Sequence, residues 1–353
     1  MAKANFKKNK EEPGVNYKTA VAELKAQGPA RLYLLWGKED YLREQFLAQL
    51  KSVCLPGGED DFSYRRFDGA ALDLQALADA IDAIPFLSER SLIEVRDYDT
   101  NKAPEADASR LASLAEDIPD YCTVVFVMGP DFSPDGRLKL TKAMKKHGQV
   151  MQFAPQGDAA LIGWVSRRFA AGQKRVTVED AKYLISITGG LMNRMIPEIE
   201  KISAYAANDV VTREDIDAVT QKTPDAVVFE VTDCLAEGNR NGAMEKLSEL
   251  LTDKDASPIM ILAVVGQQMR RLYAAKLAQA NRLSSQETME LCDLRYDFLL
   301  QKLQRSARKF SLEGLERIVA ACAETDYAMK HSGADDLALL EDLMLSIMLE
   351  AKA

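Results

Sequence analysis

Two hydrophobic rhythms divide the chain. Short apolar runs alternate with helical spacing as far as about residue 153, and beyond Pro155 nearly every periodic segment is helical. Leu32–Trp36 is a continuous apolar run closed by Gly37, the pattern of a buried strand. Tyr41, Leu42, Phe46, Leu47 and Leu50 then recur at helical spacing over 39–53. Segment 62–67 alternates and stops at Asp68-Gly69 as a strand does, and 72–84 returns to helix. Strands are expected at 91–95, 123–128 and 150–153, helices at 109–115 and 137–147. The run at 123–128 is β-branched and wholly apolar, so it predicts a central strand buried on both faces. Alternating strands and helices predict an α/β domain with a five-stranded, mostly parallel sheet over 16–153. Residues 1–15 read as a disordered tail.

The helical part falls into two all-α domains. Helices are expected at 158–171, 178–187, 192–207 and 213–220, with Asp158, Thr177 and Thr212 as N-caps and Gly172 and Gly189-Gly190 as stops. They make a small helical lid domain, 154–222. The segment Lys222-Thr223-Pro224-Asp225 reads as a joint, and 223–353 as a larger helical domain with helices at 226–237, 241–252, 258–282, 297–309, 311–330 and 335–351.

Composition narrows the function. A net charge of −9 argues against a protein that grips nucleic acid over its whole surface, while leaving room for a local basic face. No apolar run approaches the roughly 20 residues of a membrane span, and the Lys/Asn-rich start lacks the apolar stretch of a secretory signal. Five scattered cysteines with no C-x-x-C pair, and only two histidines, predict isolated thiols in a reducing cytoplasm rather than a zinc site.

An α/β domain followed by a helical lid suggests a P-loop type of ATPase. A phosphate loop needs G-x-x-x-x-G-K-[ST], in which backbone N–H groups wrap the phosphates, the lysine neutralises them and the hydroxyl holds magnesium. Here the first strand is followed by Gly37-Lys38-Glu39-Asp40-Tyr41-Leu42. There is one glycine, Lys38 comes too early, and two carboxylates stand where phosphates would lie. The fourth strand runs into Gly129-Pro130-Asp131, with no close-set acidic pair for magnesium, and Asp131 reads as a turn residue. The nucleotide site is therefore expected to be degenerate, and no cofactor or metal is expected. No nucleophile elbow, H-E-x-x-H or Ser/His/Asp arrangement is present in the sequence.

Three segments carry a resemblance. They are Leu32 through Leu42; Ile187 through Ala206, continuing into Val211–Ile216; and Val228-Phe229-Glu230 through Ile261-Leu262-Ala263 to Gln268–Leu272. In order and spacing the chain resembles the delta subunit of the bacterial DNA polymerase III clamp loader, a family of the AAA+ superfamily. The resemblance implies an AAA+/RecA-like first domain, a lid and a collar. It also implies a non-catalytic subunit of the polymerase III holoenzyme, the complex that carries DNA-directed nucleotidyl transfer. Such a subunit binds the sliding clamp (the beta subunit) and opens one ring interface while partner subunits hydrolyse ATP. The implied partners are the clamp, the delta prime and gamma/tau subunits through the collar, and primer–template DNA, in the cytoplasm and with no membrane. Two other readings remain open on the residues alone: an active ATPase with an unusual loop, and a helical adaptor without clamp activity.

The family's clamp-binding apolar pair falls on Phe86 and Leu87, in the order Phe-Leu where some members have Leu-Phe. On their residues alone, Phe86 and Leu87 could equally cap the core of the sheet. An adjacent apolar pair after a proline is hard to bury fully, so it can also anchor an interface. Possible DNA contacts are Arg137, Lys139, Lys142, Lys145 and Lys146 on one basic helix, and Arg270 and Arg271 in the collar.

Overall fold

The computed structural model describes residues 14–58, 63–85, 88–252 and 257–351. They fall into two units, which meet in sequence at Pro155 and Gln156.

The first unit runs α1 (Tyr17–Gln27), β1 (Leu32–Trp36), α2 (Asp40–Cys54), β2 (Tyr64–Asp68), α3 (Leu74–Asp82), β3 (Ser91–Arg96), α4 (Glu105–Glu116), β4 (Cys122–Val127), α5 (Lys139–His147) and β5 (Gln149–Gln152). The strands lie in the order β2-β3-β4-β1-β5, and every pairing is parallel. The sheet is thus wholly rather than mostly parallel. β4 sits at its centre and is buried at every position, as its apolar β-branched run predicts. β2 is an edge strand, and its Arg65 and Arg66 are exposed. Between sheet and helices lie Leu77 and Ile81 of α3, Leu111 of α4, Val124 and Phe126 of β4 and Met144 of α5.

Helix α1 was not foreseen. It buries only Ala20 and Leu24, too few to give a hydrophobic period. Its ends are nevertheless written locally. Asn16 Oδ1 accepts from the N–H groups of Lys18 and Thr19, and Gly28 ends the helix at φ 80°.

A buried charge network lies inside the first unit. Glu94 of β3 has no solvent exposure. Its Oε2 accepts from the Tyr64 hydroxyl at 2.7 Å and pairs with Lys51 Nζ at 2.9 Å. Its Oε1 pairs with Arg96, whose guanidinium also makes a two-pronged pair with Glu44, at 2.9 Å on each prong. The network ties α2 to β2 and β3. Burial pushes the Glu94 carboxyl up, but the bonds from Lys51, Tyr64 and Arg96 outweigh it and hold the group below its ordinary range.

The second unit is helical: α6 (Asp158–Ala171), α7 (Val178–Thr188), α8 (Met192–Tyr205), α9 (Arg213–Val219), α10 (Pro224–Ala236), α11 (Arg240–Thr252), α12 (Pro258–Ala280), α13 (Ser285–Leu291), α14 (Asp297–Ala307), α15 (Leu312–His331) and α16 (Asp336–Glu350). The caps at Thr177 and Thr212 form as expected, and in the second the Thr212 N–H donates in return to Asp215 Oδ2. Gly157, not Asp158, is the N-cap of α6. α13 went unread because its one fully buried residue is Thr288, although Ser284 and Glu287 make a complete capping box. α10, α12, α14, α15 and α16 share a core that includes Leu262, Val265, Met269, Leu272, Leu303, Leu315 and Ile347.

Contacts also join the 156–222 part of this unit to its remainder. The Tyr296 hydroxyl donates to the Gly190 carbonyl at 3.1 Å. Gly190 has a φ of 75°, and a Cβ there would lie 2.1 Å from the Tyr296 oxygen. The Asp297 N–H donates to Asp158 Oδ2 at 3.1 Å. Lys222 bridges Asp217 of α9 and Glu230 of α10, at 3.4 and 2.7 Å.

Candidate functional site

The segment after β1 is where a phosphate loop would arch. Gly37 has a φ of 120°, and a Cβ on it would come within 2.4 Å of the Phe153 carbonyl oxygen. The Glu39 N–H donates to that same oxygen at 3.0 Å, and the Phe153 N–H donates to the Trp36 carbonyl at 2.7 Å. Residues 37–39 are therefore pinned across the end of β5 instead of standing out around a ligand. Helix α2 begins at once, with Asp40 as its first residue.

The start of α2 is occupied by the chain's own charges. Arg43 is buried; one Nη donates to the Gly37 carbonyl at 2.7 Å and the other pairs with Asp40 Oδ1 at 2.7 Å. Glu39 has no solvent exposure, while Lys38 points into solvent. A helix N-terminus attracts anions. Here that attraction is met by Glu39 and Asp40, and the guanidinium bonds a loop carbonyl. Of Gly37, Lys38, Glu39 and Asp40, none presents a phosphate cradle. Arg43 was missed in the sequence, although its spacing from Asp40 is that of a helical ion pair.

At the end of β4, Asp131 is exposed in a turn closed by the Phe132 N–H on the Gly129 carbonyl at 3.2 Å. Among the described residues, no group of three or more His, Cys, Asp or Glu side chains gathers as metal ligands would.

Phe86 and Leu87 lie outside the described residues. Their flanks are held on both sides. The Tyr121 hydroxyl donates to the Asp82 carbonyl at the end of α3, and Ser88 Oγ donates to the Arg90 carbonyl just before β3 while sharing a hydrogen bond with the Ser63 hydroxyl. Between these anchors Ile84 is 78% exposed, a large apolar side chain that the sequence pattern alone did not single out. Its signal was there in the string Ile84-Pro85-Phe86-Leu87.

The basic residues divide on inspection. α5 buries Leu140, Thr141 and Met144 and leaves Lys139, Lys142, Lys145 and Lys146 exposed. Lys139, Lys142 and Lys146 share one stripe and have no salt-bridge partner among the described residues. Arg137 stays exposed while it pairs with Asp135, at 2.6 Å, and holds that carboxyl down at about 2. Arg270 is exposed. Arg271 is committed within the helical unit: Nε donates to the Cys292 carbonyl at 3.1 Å, Nη2 to the Asp293 carbonyl at 3.4 Å, and Nη1 pairs with Asp225 at 3.4 Å.

Comparisons with known proteins agree with the motifs. Residues 33–154 match the model of the family "DNA polymerase III, delta subunit", and residues 225–347 match that of its C-terminal domain. The chain is 26% identical over 325 residues to DNA polymerase III subunit delta of Bacillus subtilis, covering 90% of this chain and 92% of that one. It is 24% identical over 178 residues to a probable DNA polymerase III subunit delta of Aquifex aeolicus, covering 49% and 51%. A solved structure, the Bacillus subtilis DNA clamp loader delta protein, is similar with a TM-score of 0.59 and 23% identity, covering 94% of this chain and 99% of that one.

Proposed function

This chain belongs to the DNA polymerase III delta-subunit family, and we propose that within a clamp loader it docks on the sliding clamp and holds one ring interface open without using ATP itself. One observation carries the second half of the reading. The loop after β1 is closed on itself by Arg43 and pinned to the end of β5, so the place of a polyphosphate is filled by the protein's own charges. The energy for the cycle then comes from partner subunits. Docking is assigned to Phe86 and Leu87, with the exposed Ile84 beside them as a further apolar contact.

Residues 156–222 take the part of a lid and 223–353 that of a collar, which meets the delta prime and gamma/tau subunits. Leu345 and Leu349, one turn apart on α16, are exposed on the side away from the buried Leu340, Met344 and Ile347. That stripe is a suitable face for a neighbouring collar helix. Among the described residues no helix is long and apolar enough to cross a membrane. A role at the replisome is a cytoplasmic one.

The test is clamp binding by the purified chain, measured by calorimetry with and without ATP and magnesium. A complex of equal affinity in both conditions is expected. A requirement for ATP, or saturable ATP binding by the chain alone, would overturn the reading.

DNA contact is assigned to the Lys139, Lys142 and Lys146 stripe of α5, with Arg137, Lys145 and Arg270 as lesser contributors. Arg271 is left out because its donors are engaged. In the assembled loader, the triple change Lys139→Ala/Lys142→Ala/Lys146→Ala should flatten the salt dependence of primer–template binding, by about 0.9 in the log–log slope for each phosphate no longer neutralised. An unchanged slope removes α5 from the interface.

A further inference from the structure

The helical unit contains a cleft of about 260 Å³ between the 186–194 segment and the start of α10 with the 293–299 segment. Three arginines line it: Arg194 in the first turn of α8, Arg271 of α12, and Arg295 just before α14. Two carboxylates, Asp225 and Asp293, also line it. Arg271 neutralises Asp225 and is tied to the carbonyls of Cys292 and Asp293. Arg194 and Arg295 are exposed and have no salt-bridge partner among the described residues. They come from separate elements, so no helical spacing requires them to share a cleft. Two cations lining one small cleft repel each other unless an anion joins them.

The other walls fit an anionic ligand. The N-cap of α8 is Leu191, whose side chain accepts no hydrogen bond, so the positive end of a 14-residue helix adds to the Arg194 charge. Phe229 supplies an apolar wall. A planar carboxylate is satisfied by one guanidinium fork, whereas a tetrahedral phosphate offers oxygens to two forks approaching from different sides. The Asp293 carboxylate opposes any anion here, so the guanidinium groups of Arg194 and Arg295 must together outweigh it.

We infer that this cleft binds a phosphate group between the guanidinium forks of Arg194 and Arg295. The phosphate belongs either to a free phosphorylated small molecule or to a nucleic-acid backbone, and the same chemistry recognises both. The site is distinct from the closed loop after β1 and does not depend on the clamp-docking role.

Pyrophosphate is the probe, titrated into the full-length chain and followed by calorimetry and by ³¹P line broadening. Saturable binding is expected. Arg194→Gln and Arg295→Gln should each weaken it about ten- to a hundredfold, the effect of losing a charge-assisted hydrogen-bonded pair. Arg308→Gln, on an exposed arginine of the same unit that does not line the cleft, should leave it unchanged. A short single-stranded oligonucleotide without terminal phosphates forms the second arm. Its displacement of pyrophosphate assigns the site to a nucleic-acid backbone, and failure to displace assigns it to a free ligand. Absence of saturable binding of either probe overturns the inference. So does binding that Arg194→Gln and Arg295→Gln leave intact, or that Arg308→Gln weakens equally. Clamp binding by the same variants should match that of the parent chain, which keeps this test separate from that of the docking role.

Discussion

A Phe86→Ala/Leu87→Ala double variant should lose clamp affinity by roughly two to four orders of magnitude, since burying each large apolar side chain is worth about 1.5–3 kcal/mol and the pair together about 3–6 kcal/mol. Interface energy concentrates in a few such side chains near the centre of a contact. The segment suits this role because its flanks are fixed, at Asp82 by Tyr121 and at Ser88 by Ser63 and Arg90. A fixed base lowers the cost of ordering the contact on binding. Thermal unfolding of the variant is measured alongside clamp affinity. The expected result is a large loss of affinity with a nearly unchanged Tm. A fallen Tm with unchanged affinity would mean that the two side chains serve the core of the sheet, and the docking assignment would fail.

Glu94→Ala should destabilise the first unit by about 3–5 kcal/mol, the usual effect of deleting one member of a buried charge group and leaving its partners inside. Lys51 and Arg96 would keep their charges, with side chains only 16% and 26% exposed, and Tyr64 would lose its acceptor. Urea unfolding gives the measurement, and a loss below about 1 kcal/mol would show that the network is a bystander. The same group predicts a pH dependence. Its folded pKa lies below the ordinary value of 4.5, so its contribution is fully present above that pH. It is lost as pH falls through the lower folded value. Acid unfolding of Glu94→Gln should therefore begin from lower stability and show a shallower slope in this window.

The readable parts of the chain were those whose burial is uniform. β4 announces itself because every position is buried and its run is apolar and β-branched, and β1 because all five residues are large and apolar and the first four are buried. α1 and α13 were missed for the opposite reason: few of their residues are buried, so hydrophobic rhythm is silent and only the caps speak. That the loop after β1 lacks Gly-Lys-Ser/Thr was legible. How that loop is held was not, because the closeness of Phe153 to Gly37 is a contact between segments far apart in sequence. The basic clusters show the same limit. By charge alone Arg271 resembles the lysines of α5, and only the fold reveals that Asp225, 46 residues away, and two loop carbonyls already hold it. The exposure of the α5 lysines, by contrast, follows from helical spacing around Leu140 and Met144.

The contact between Tyr296 and Gly190 joins positions 106 residues apart. Neither can vary alone. Any side chain at 190 collides with the tyrosine ring, and its backbone angle already disfavours one. A smaller residue at 296 would free position 190 sterically but leave its carbonyl without that donor. Across homologous chains the two sites should therefore change as a pair. A chain in which glycine and tyrosine are both replaced is expected to have rebuilt this joint in a different way.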